Sequence, residues 1–459
     1  MFSKILIANR GEIAVRIIRT CQKMGIKTVA VYSEADKDAL HVHMADEAYC
    51  IGPARPDKSY LNFQNILSIA KATNAEAIHP GYGFLSENPG FADTVTKCGL
   101  AFIGPDSIAI ERMGQKSVAR NMMMRAGVPI MPGSQNSVES LEEAIKTADE
   151  VGFPVLIKAT SGGGGKGMRL VEKREDFEKM LKMAQAEAEA SFGDNRVYIE
   201  KYMINPRHIE VQLIADKYGK VVALGERECS VQRRHQKLLE ESPSIAVSPE
   251  LRKKMAEAAI KAAKAVSYSN AGTVEFLLDS TGNFYFMEMN TRLQVEHPVS
   301  EMICGYDLVE LQLRVSAGEH LPIKEDIIEP NGWAIECRIN AEDPYNSFVP
   351  CPGTVGYYLA PGGPWVRVDS ACYPGYVISP NYDSMIAKLI VWGRNRNEAI
   401  DRMKTALREF DIVGVDTTLP FQYFILDHED FRSGNFSTSF VDKNMDEFLA
   451  DYAPEENEQ

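Results

Sequence analysis

The chain has 459 residues, of which 45% are hydrophobic and 25% are charged, and its formal net charge is −14. This composition is typical of a soluble globular protein with two to four domains of roughly 150 residues each. The acidic balance argues against nucleic-acid and anionic-membrane partners, because such partners require a basic surface. The eight cysteines form no C-x-x-C pair, and the N-terminal apolar run is too short for a signal peptide. We therefore expect a cytoplasmic protein with reduced thiols and no transmembrane helix.

The first 130 residues predict a doubly wound α/β domain. Apolar strands at 5–7, 28–31, 77–78 and 101–103 alternate with helical stretches, the first of which spans 11–24. Such alternation predicts a parallel sheet with crossover helices. The turn after the first strand lacks the G-x-G-x-x-G fingerprint, so no NAD site is predicted there.

The second zone, about 131–203, contains a glycine-rich loop between two apolar strands. The strand 153–159 precedes the loop 161–167, which reads Ser-Gly-Gly-Gly-Gly-Lys-Gly, and the strand 168–171 follows it. Glycines allow backbone N–H groups to approach phosphate oxygens closely. Lys166 is followed by Gly167 rather than Ser or Thr, so this is not a Walker A loop. A flexible linker is the alternative interpretation.

The third zone, from about 205 to the end, is predicted to be rich in strands. Alternation places His208, Glu210 and Gln212 on one face of a strand, and a half-buried strand facing water would show the same pattern. A basic cluster in this acidic protein favours a local anion site, with a solvated face as the alternative; its members are Arg227, Arg233, Arg234, His235 and Lys237. Cys229 lies within the cluster and could have a depressed pKa, although a buried, inert thiol is more common.

The densest polar block is residues 287–298, which follows an aromatic strand-like run. On an extended chain Glu288, Asn290 and, if the strand continues, Arg292 point the same way. Two oxygen donors at that spacing suit a hard cation such as Mg²⁺. A polar strand end with surface ion pairs is the alternative. The acidic segment from Asp442 to the end is expected to fray.

Several motifs, in this order, resemble biotin carboxylase, an ATP-grasp enzyme. They are Asn-Arg-Gly-Glu-Ile-Ala at 9–14, His-Pro-Gly-Tyr-Gly-Phe-Leu-Ser-Glu-Asn at 79–88, the loop 162–168, the cluster 226–242, the block 287–298 and the segment 334–344. The resemblance covers nearly the whole chain, with departures at Gln115, Trp333 and Cys351. Trp333 is expected to affect packing near Arg338. A biotin-acceptor lysine between two methionines is absent, which favours a free-standing carboxylase that works on a separate carrier protein.

The resemblance implies a mixed α/β and α+β fold of the ATP-grasp type. The expected domains are an N-terminal Rossmann-like domain at 1–113, an ATP-grasp part at 114–204 that includes a mobile lid at about 131–203, an ATP-grasp catalytic domain at 205–330, a strand-rich C-terminal domain at 331–446 and an acidic tail at 447–459.

The resemblance also implies the site residues. ATP is expected between the lid and the third zone, held by Lys116, Lys158, Gly164, Gly165, Met168, Glu200, Lys201, Tyr202, Met203, His208, Gln232, His235, Glu275, Leu277 and Glu288. The implied metal ligands are Glu275, Glu288 and Asn290. Bicarbonate is assigned to Lys237, Arg292, Gln294 and Val295. The implied catalytic residues are Arg292, Glu296, Arg338 and Lys237, with Glu296 as the base, and biotin is assigned to Tyr82 and Arg338.

The implied activity is ATP-dependent carboxylation of biotin on a carrier protein. The implied cofactors are ATP and two Mg²⁺ or Mn²⁺ ions, with biotin as a substrate that is not attached to this chain. The implied partners are a biotin carboxyl carrier protein, carboxyltransferase subunits and a second copy of the chain, with no nucleic acid or membrane. The first half-reaction of acetyl-CoA carboxylase, in fatty acid synthesis, is the expected role, with pyruvate or propionyl-CoA carboxylase as alternatives. More distant alternatives are half of a carbamoyl phosphate synthetase, a D-alanine or peptide ligase, and a catalytically silent nucleotide-binding protein.

Overall fold

The computed structural model describes residues 1–134, 137–138, 140–160 and 168–452. The chain folds into two compact units. Unit 1 contains Met1–Gly114, Arg207–Glu275 and the chain from Met289 onward, and unit 2 contains Gln115–Pro206 and Phe276–Glu288. None of the described helices is long and apolar enough to cross a lipid bilayer. The finer domain boundaries expected from the sequence stay a prediction.

Unit 1 begins with a parallel five-stranded sheet of order β3-β2-β1-β4-β5. Most residues of its central strands are buried, and many of them are aliphatic, as expected for strands covered on both faces. The strands are β1 (Lys4–Ile7), β2 (Lys27–Ser33), β3 (Glu47–Gly52), β4 (Ala77–His79) and β5 (Ala101–Phe102). The helices are α1 (Gly11–Lys23), α2 (Leu40–Met44), α3 (Phe63–Ala72), α4 (Pro89–Lys97) and α5 (Ser107–Gly114).

Unit 2 is built around a three-stranded antiparallel sheet of order β7-β6-β8, with an apolar core between the sheet and its helices. Its elements are α6 (Lys116–Arg125), α7 (Leu141–Val151), β6 (Val155–Ala159), β7 (Met168–Val171), α8 (Phe177–Phe192) and β8 (Val197–Lys201).

The rest of unit 1 contains an eight-stranded sheet of order β13-β12-β9-β10-β11-β14-β21-β19. Its strands are β9 (Arg207–Ala215), β10 (Val221–Arg233), β11 (Gln236–Ser242), β12 (Asn270–Leu278), β13 (Phe284–Asn290), β14 (Trp333–Asn340), β19 (Val366–Ser370) and β21 (Met385–Gly393). Residues 276–278 of β12 and 284–288 of β13 belong to unit 2.

Short strand pairs and helices complete this part of the chain. The remaining strands are β15 (Glu342–Asp343), β16 (Val349–Pro350), β17 (Gly353–Thr354), β18 (Tyr357–Leu359), β20 (Val377–Ile378) and β22 (Asp411–Val413). The helices are α9 (Pro249–Ala265), α10 (His297–Cys304), α11 (Leu308–Ser316), α12 (Arg396–Glu409), α13 (Leu419–Asp427), α14 (Glu429–Ser433) and α15 (Phe440–Asp451).

Strand β14 separates an apolar layer from a charged one. Ile335, Cys337 and Ile339 point into the large apolar cluster formed with α12, α13 and α15, whereas Glu336 and Arg338 point to the opposite face, which α10 covers. The charged side of the sheet therefore lies directly beneath the segment that begins α10.

The fold class is confirmed, and so are the N-terminal strands, the first helix and the antiparallel pair that flanks the glycine loop. Two local expectations are wrong. Strand β13 ends at Asn290, so the extended run does not reach Arg292. The acidic segment from Asp442 is helical up to Asp451, because Phe448 is buried against the apolar cluster. The loop 161–167 and the tail 453–459 lie outside the described residues.

Candidate active site

Lys237 lies at the centre of a group of buried carboxylates in unit 1. Its ammonium nitrogen is 2.6 Å from Glu210 Oε2, 3.2 Å from Glu275 Oε1 and 2.6 Å from Glu296 Oε1. These carboxylates come from β9, β12 and the residue that precedes α10. Three carboxyl groups around one ammonium make a strongly polarised site inside the protein.

Arg338 completes the pairing of Glu296. Its Nη2 donates to Glu296 Oε2 at 2.9 Å, and its Nε donates to Glu240 Oε1 at 2.7 Å. Glu296 is thus held by Lys237 through one oxygen and by Arg338 through the other. Two cations held at these distances restrict the position of the Glu296 carboxylate and favour its ionised form.

The segment after β13 is organised by Arg292. Its guanidinium donates to Glu87 Oε2 at 2.8 Å, to Gln294 Oε1 at 2.6 Å and to Asn290 Oδ1 at 3.2 Å. Arg292 and Asn290 are therefore in contact although the strand has already ended. Glu87 also accepts from the backbone N–H of Thr291 at 3.0 Å, which fixes the turn.

Glu275 contacts three further side chains of the site, those of Asn290, Gln294 and His208. Its Oε1 accepts from Asn290 Nδ2 at 2.8 Å and from Gln294 Nε2 at 3.1 Å, and its Oε2 lies 2.9 Å from His208 Nε2. Donor atoms of His208, Glu210 and Glu275 lie within 4.8 Å of one another. Oxygen-rich donors at this spacing fit a hard divalent cation.

Electrostatics separate two neighbouring carboxyl groups. Burial acts to raise the pKa of Glu296, but Lys237, Arg338 and Arg227 outweigh it and hold that pKa well below the usual value. Burial raises the pKa of Glu210 despite its cations. Oxygens of the two groups lie within 4.8 Å of each other. Two carboxyl groups whose surroundings shift their pKa values in opposite directions are typical of acid–base pairs. In this pair the surroundings favour ionisation of Glu296.

The cations respond in the opposite sense. Burial acts to lower the pKa of Lys237, but Glu210, Glu275 and Glu296 raise it well above its usual value. The same carboxylate Glu210 also pairs with the fully buried Arg227. Lys237 is therefore a permanent cation, able to hold an anion but not to accept a proton.

In unit 2, Lys158 and Glu200 form a part-buried pair. Lys158 Nζ donates to Glu200 Oε2 at 2.5 Å, and Arg120 Nε lies 3.4 Å from Glu200 Oε1. Lys201 Nζ instead donates to the backbone oxygens of Gly152 and Phe153. Of the residues predicted for ATP, Lys158 and Glu200 are thus brought together, whereas the ammonium of Lys201 is used to support the backbone.

The other predicted residues lie as follows. Lys116 is exposed at the start of α6, Met168 is exposed on β7, and Tyr202 and Met203 follow β8. Gln232 and His235 lie at the tip of the hairpin formed by β10 and β11. Leu277 and Glu288 belong to unit 2, on β12 and β13. Gly164 and Gly165 lie outside the described residues.

Tyr82, predicted to contact biotin, is half-buried in unit 1 and its hydroxyl donates to Glu12 Oε1. It lines a cavity of about 230 Å³ whose polar walls include Asn9, Arg10 and Asp383. In the same unit, the predicted Val295 lies in the segment between Arg292 and Glu296, and its carbonyl accepts a hydrogen bond from Lys388 at 2.9 Å.

Four sequence interpretations are corrected by these contacts. His208, Glu210 and Gln212 do share a strand, but that strand is buried rather than facing water. The basic cluster divides, because Arg227 is buried while Arg234 and His235 are exposed at the hairpin tip.

The other two corrections concern Cys229 and Trp333. Burial raises the pKa of the Cys229 thiol well above its usual value of 9.0, so it is an inert thiol. Trp333 packs on the apolar side of β14, opposite Arg338, and donates to Glu241 at 2.7 Å. It therefore does not affect the packing of Arg338.

Several site residues were not predicted from the sequence. They are Glu240, Glu87, Glu12 and Lys388. Glu240 was hidden because strict alternation puts it on the face opposite Lys237. A β-bulge at Leu238 inserts one residue between the pairs Gln232–Lys237 and Val231–Leu239, which returns Glu240 to the face of Lys237. Glu87 could have been found, since it lies in the 79–88 motif.

Three family models together match most of this chain. Residues 115–324 match the family model "Carbamoyl-phosphate synthase L chain, ATP binding domain". Residues 1–110 match "Biotin carboxylase, N-terminal domain", and residues 336–443 match "Biotin carboxylase C-terminal domain". The chain is therefore an ATP-dependent ligase by class, with an ATP-grasp fold. It belongs to the biotin carboxylase family.

Individual relatives agree over nearly the full length. The chain is 58% identical to biotin carboxylase 1 of Bacillus subtilis, covering 96% of this chain and 98% of the relative. It is 55% identical to a pyruvate carboxylase subunit of Methanothermobacter thermautotrophicus, covering 96% and 90%. A solved biotin carboxylase domain dimer of Hydrogenobacter thermophilus 2-oxoglutarate carboxylase, with MgADP, ADP and bicarbonate, matches with a TM-score of 0.90 and 50% identity, covering 99% and 100%.

Proposed function

We propose that this protein carboxylates biotin on a separate carrier protein, using ATP and bicarbonate and releasing ADP and phosphate. The observation that carries the proposal is that Glu296 accepts hydrogen bonds from Lys237 through one oxygen and from Arg338 through the other. Such an arrangement provides cations for an anionic substrate beside an ionised carboxylate. The bound bicarbonate and MgADP of the Hydrogenobacter relative support the same assignment.

Bicarbonate is proposed to bind at Lys237, Arg292, Gln294 and the backbone of Val295. The planar fork of Arg292 matches the two oxygens of a carboxylate-like anion, which the single ammonium of a lysine does not. A bound anion shares the charge of Lys237 with Glu296, so the pKa of Glu296 rises as the substrate arrives. Glu296 is then a better base at the moment it takes the bicarbonate proton.

Deprotonated bicarbonate attacks the γ-phosphoryl group of ATP and gives carboxyphosphate and ADP. For the nucleotide we propose the predicted residues of each unit, with Lys116 and Lys158 on phosphates and Glu200 to Met203 along the adenine. The pair between Lys158 and Glu200 must then open, since Lys158 changes its anionic partner. That exchange couples nucleotide binding to a local rearrangement in unit 2.

Glu275, Glu288 and Asn290 are proposed to hold Mg²⁺ or Mn²⁺, as two ions. When bound, such ions neutralise charge that develops on the transferring phosphoryl group. The donor set fits, because Glu275 offers two buried oxygens: Oε1 accepts from Lys237, Asn290 and Gln294, and Oε2 lies 2.9 Å from His208 Nε2. The oxygen of Asn290 is engaged by Arg292, so it must be released from Arg292 before it can bind a cation.

Carboxyphosphate is proposed to yield CO₂ and phosphate beside biotin. The released phosphate takes the proton from the ureido nitrogen, which then attacks CO₂. Arg338 stabilises the negative oxygen of the biotin ring as charge develops there. Tyr82 is proposed to line the biotin pocket.

The partners proposed for this chain are a biotin carboxyl carrier protein, carboxyltransferase subunits and a second copy of itself. Relatives include both a biotin carboxylase and a pyruvate carboxylase component. We propose acetyl-CoA as the final carboxyl acceptor, with pyruvate or propionyl-CoA as the alternatives. The eight free thiols support the cytoplasm as the compartment.

The test separates the two half-reactions. Glu296→Gln should lower bicarbonate-dependent ATP cleavage and biotin carboxylation together, by roughly the 10²–10⁴ of a lost general base. Arg338→Gln should retain the slow ATP cleavage that occurs without biotin but lose carboxylation. Phosphate release and carboxybiotin formation are measured side by side.

The control is Arg396→Gln, which removes another buried arginine, paired with Glu241 at 2.7 Å outside the proposed site. It should lower thermal stability without changing the ratio of the two activities. Equal losses of both activities in Arg338→Gln would contradict the role given to Arg338. Wild-type protein without bicarbonate-dependent ATP cleavage would contradict the function itself.

A further inference from the structure

Lys388 is a fully buried lysine that none of the assignments above uses. It lies on β21, directly opposite Arg338 of β14 in the sheet register, and its side chain is 0% exposed. Burying an ammonium group is costly unless partners satisfy it. Its position one strand away from Arg338, on the charged face of the sheet, points to a role in the site.

The partners of Lys388 come from two different parts of unit 1. Its ammonium donates to the backbone carbonyl of Val295 at 2.9 Å and lies 3.1 Å from Glu12 Oε1. Glu12 Oε1 also accepts the hydrogen bond of the Tyr82 hydroxyl. One buried ammonium thereby joins the segment between Arg292 and Glu296 to helix α1 and, through Glu12, to Tyr82.

We infer that Lys388 is a positioning residue that holds the Val295 backbone in the geometry required for bicarbonate, and that Glu12 links this backbone to Tyr82. The inference rests on the proposed function, because it takes Val295 as a bicarbonate contact. The carbonyl of Val295 precedes the peptide N–H of Glu296, so fixing that peptide fixes the start of α10 and the carboxylate of Glu296 with it.

Rigidity at this point has a physical reason. The Lys388 ammonium is the donor that the structure provides for the Val295 carbonyl, and a buried carbonyl that loses its donor moves to find another. A displacement of that peptide would shift the bicarbonate contacts of Gln294 and Val295, while the nucleotide residues of unit 2 are on separate elements. A loss of Lys388 should therefore act on bicarbonate and not on ATP.

The experiment compares three variants of the full chain with wild type. Lys388→Met removes the ammonium but leaves Glu12 as a buried charge without its cation. This variant alone therefore cannot separate a displaced Val295 backbone from a general loss of stability. Glu12→Gln/Lys388→Met removes both charges and leaves an amide oxygen that can still accept from Tyr82. Glu12→Gln alone keeps the Lys388 contact with Val295.

The measurements are bicarbonate-dependent ATP cleavage, the Michaelis constants for bicarbonate and ATP, and the melting temperature. We expect the double variant to melt closer to wild type than Lys388→Met does. We also expect it to raise the Michaelis constant for bicarbonate by about tenfold or more, as for loss of one charge-assisted hydrogen bond, and that for ATP by less than about threefold. Glu12→Gln should keep the bicarbonate constant within about threefold of wild type.

Two results would overturn the inference. One is a double variant whose bicarbonate constant returns to the wild-type value, which would mean that Lys388 only neutralises Glu12. The other is an equal rise of both constants, which would indicate general loss of structure. Absence of bicarbonate-dependent cleavage in the wild type would instead refute the proposed function.

Discussion

Glu210 and Glu296 show how neighbours can give two identical side chains opposite protonation tendencies. Both are fully buried, and burial alone would raise the pKa of each. Glu296 faces Lys237, Arg338 and Arg227, and these cations reverse the effect of burial. The choice of Glu296 as the proposed base therefore rests on the distribution of cations rather than on the residue type.

Glu336 is another buried carboxyl on the charged face of the sheet, directly opposite Glu240 of β11. Neither of its carboxyl oxygens has a hydrogen-bond partner among the described residues. Burial raises its pKa well above the usual value of 4.5, and Lys388 only partly opposes this. Glu336 is therefore expected to be protonated and uncharged at neutral pH, as one of two neighbouring carboxyl groups often is.

This gives a prediction with a definite sign. A carboxyl whose pKa is raised on folding binds more protons in the folded state, so its contribution to stability is present below about pH 4.5 and is lost as pH rises toward the folded pKa. Glu336→Gln removes this loss. We expect the free energy of unfolding of the variant, minus that of wild type, to increase from pH 5 to pH 8, by up to about 1.4 kcal/mol per pH unit.

Urea unfolding at several pH values measures the difference. Glu409→Gln, the same change at an exposed residue of α12, should alter stability by less than about 0.5 kcal/mol at each pH. A difference for Glu336→Gln that stays constant or falls with pH would show that Glu336 is ionised in the folded protein.

Among the secondary-structure elements, hydrophobic periodicity predicted those whose conformation is determined by local sequence. The parallel strands of the N-terminal sheet and the hairpin around the glycine loop are continuous apolar runs, so their existence could be read directly. The bulge at Leu238 could not be predicted, because Leu238 and Leu239 are both buried in the apolar cluster and alternation alone does not reveal the extra residue. The membership of Glu240 in the site depends on that bulge.

The sheet of unit 2 leads to a second prediction, at Gly133. A Cβ there would lie 2.2 Å from the carbonyl oxygen of Ile199 and 2.9 Å from the Cα of Glu200, both on β8. Gly133→Ala must push the segment away from β8, which carries Glu200 and leads into Tyr202. We expect a destabilisation of about 1–3 kcal/mol and a higher Michaelis constant for ATP.

Differential scanning calorimetry and steady-state kinetics check this expectation. Gly114→Ala is the matched control, because a Cβ at that helical position meets no atom within 4 Å. It should be neutral or stabilising by about 0.4–1 kcal/mol. If the two variants had the same melting temperature, the close packing of Gly133 on β8 would not contribute to stability.

At the scale of the whole molecule, the sequence predicted chemistry better than geometry. The residue types of 287–298 indicated oxygen donors and an anion site, and the structure brings Asn290, Arg292 and Gln294 into contact. The sequence could not indicate that Lys388, about ninety residues after Val295, would donate a hydrogen bond to the Val295 carbonyl. Contacts of that kind depend on the order of strands in the sheet, which local patterns do not encode.

The choice of carboxyl acceptor is expected to lie outside this chain, and the intact protein can test this. Every biotinylated carrier presents the same ureido ring, so residues that contact bicarbonate and biotin have no means to distinguish the carboxyltransferase that follows. We expect free biotin and biotinylated carriers of an acetyl-CoA carboxylase and a pyruvate carboxylase all to be carboxylated, with Michaelis constants for ATP and bicarbonate that agree within about threefold. The biotinylated carriers should differ from free biotin only in a lower Michaelis constant for the biotin-bearing substrate itself, because their protein surfaces add binding contacts. The same carriers without biotin, added in excess, should leave the slow ATP cleavage unchanged. A tenfold or larger change in the bicarbonate constant between carriers would show that the site senses its partner.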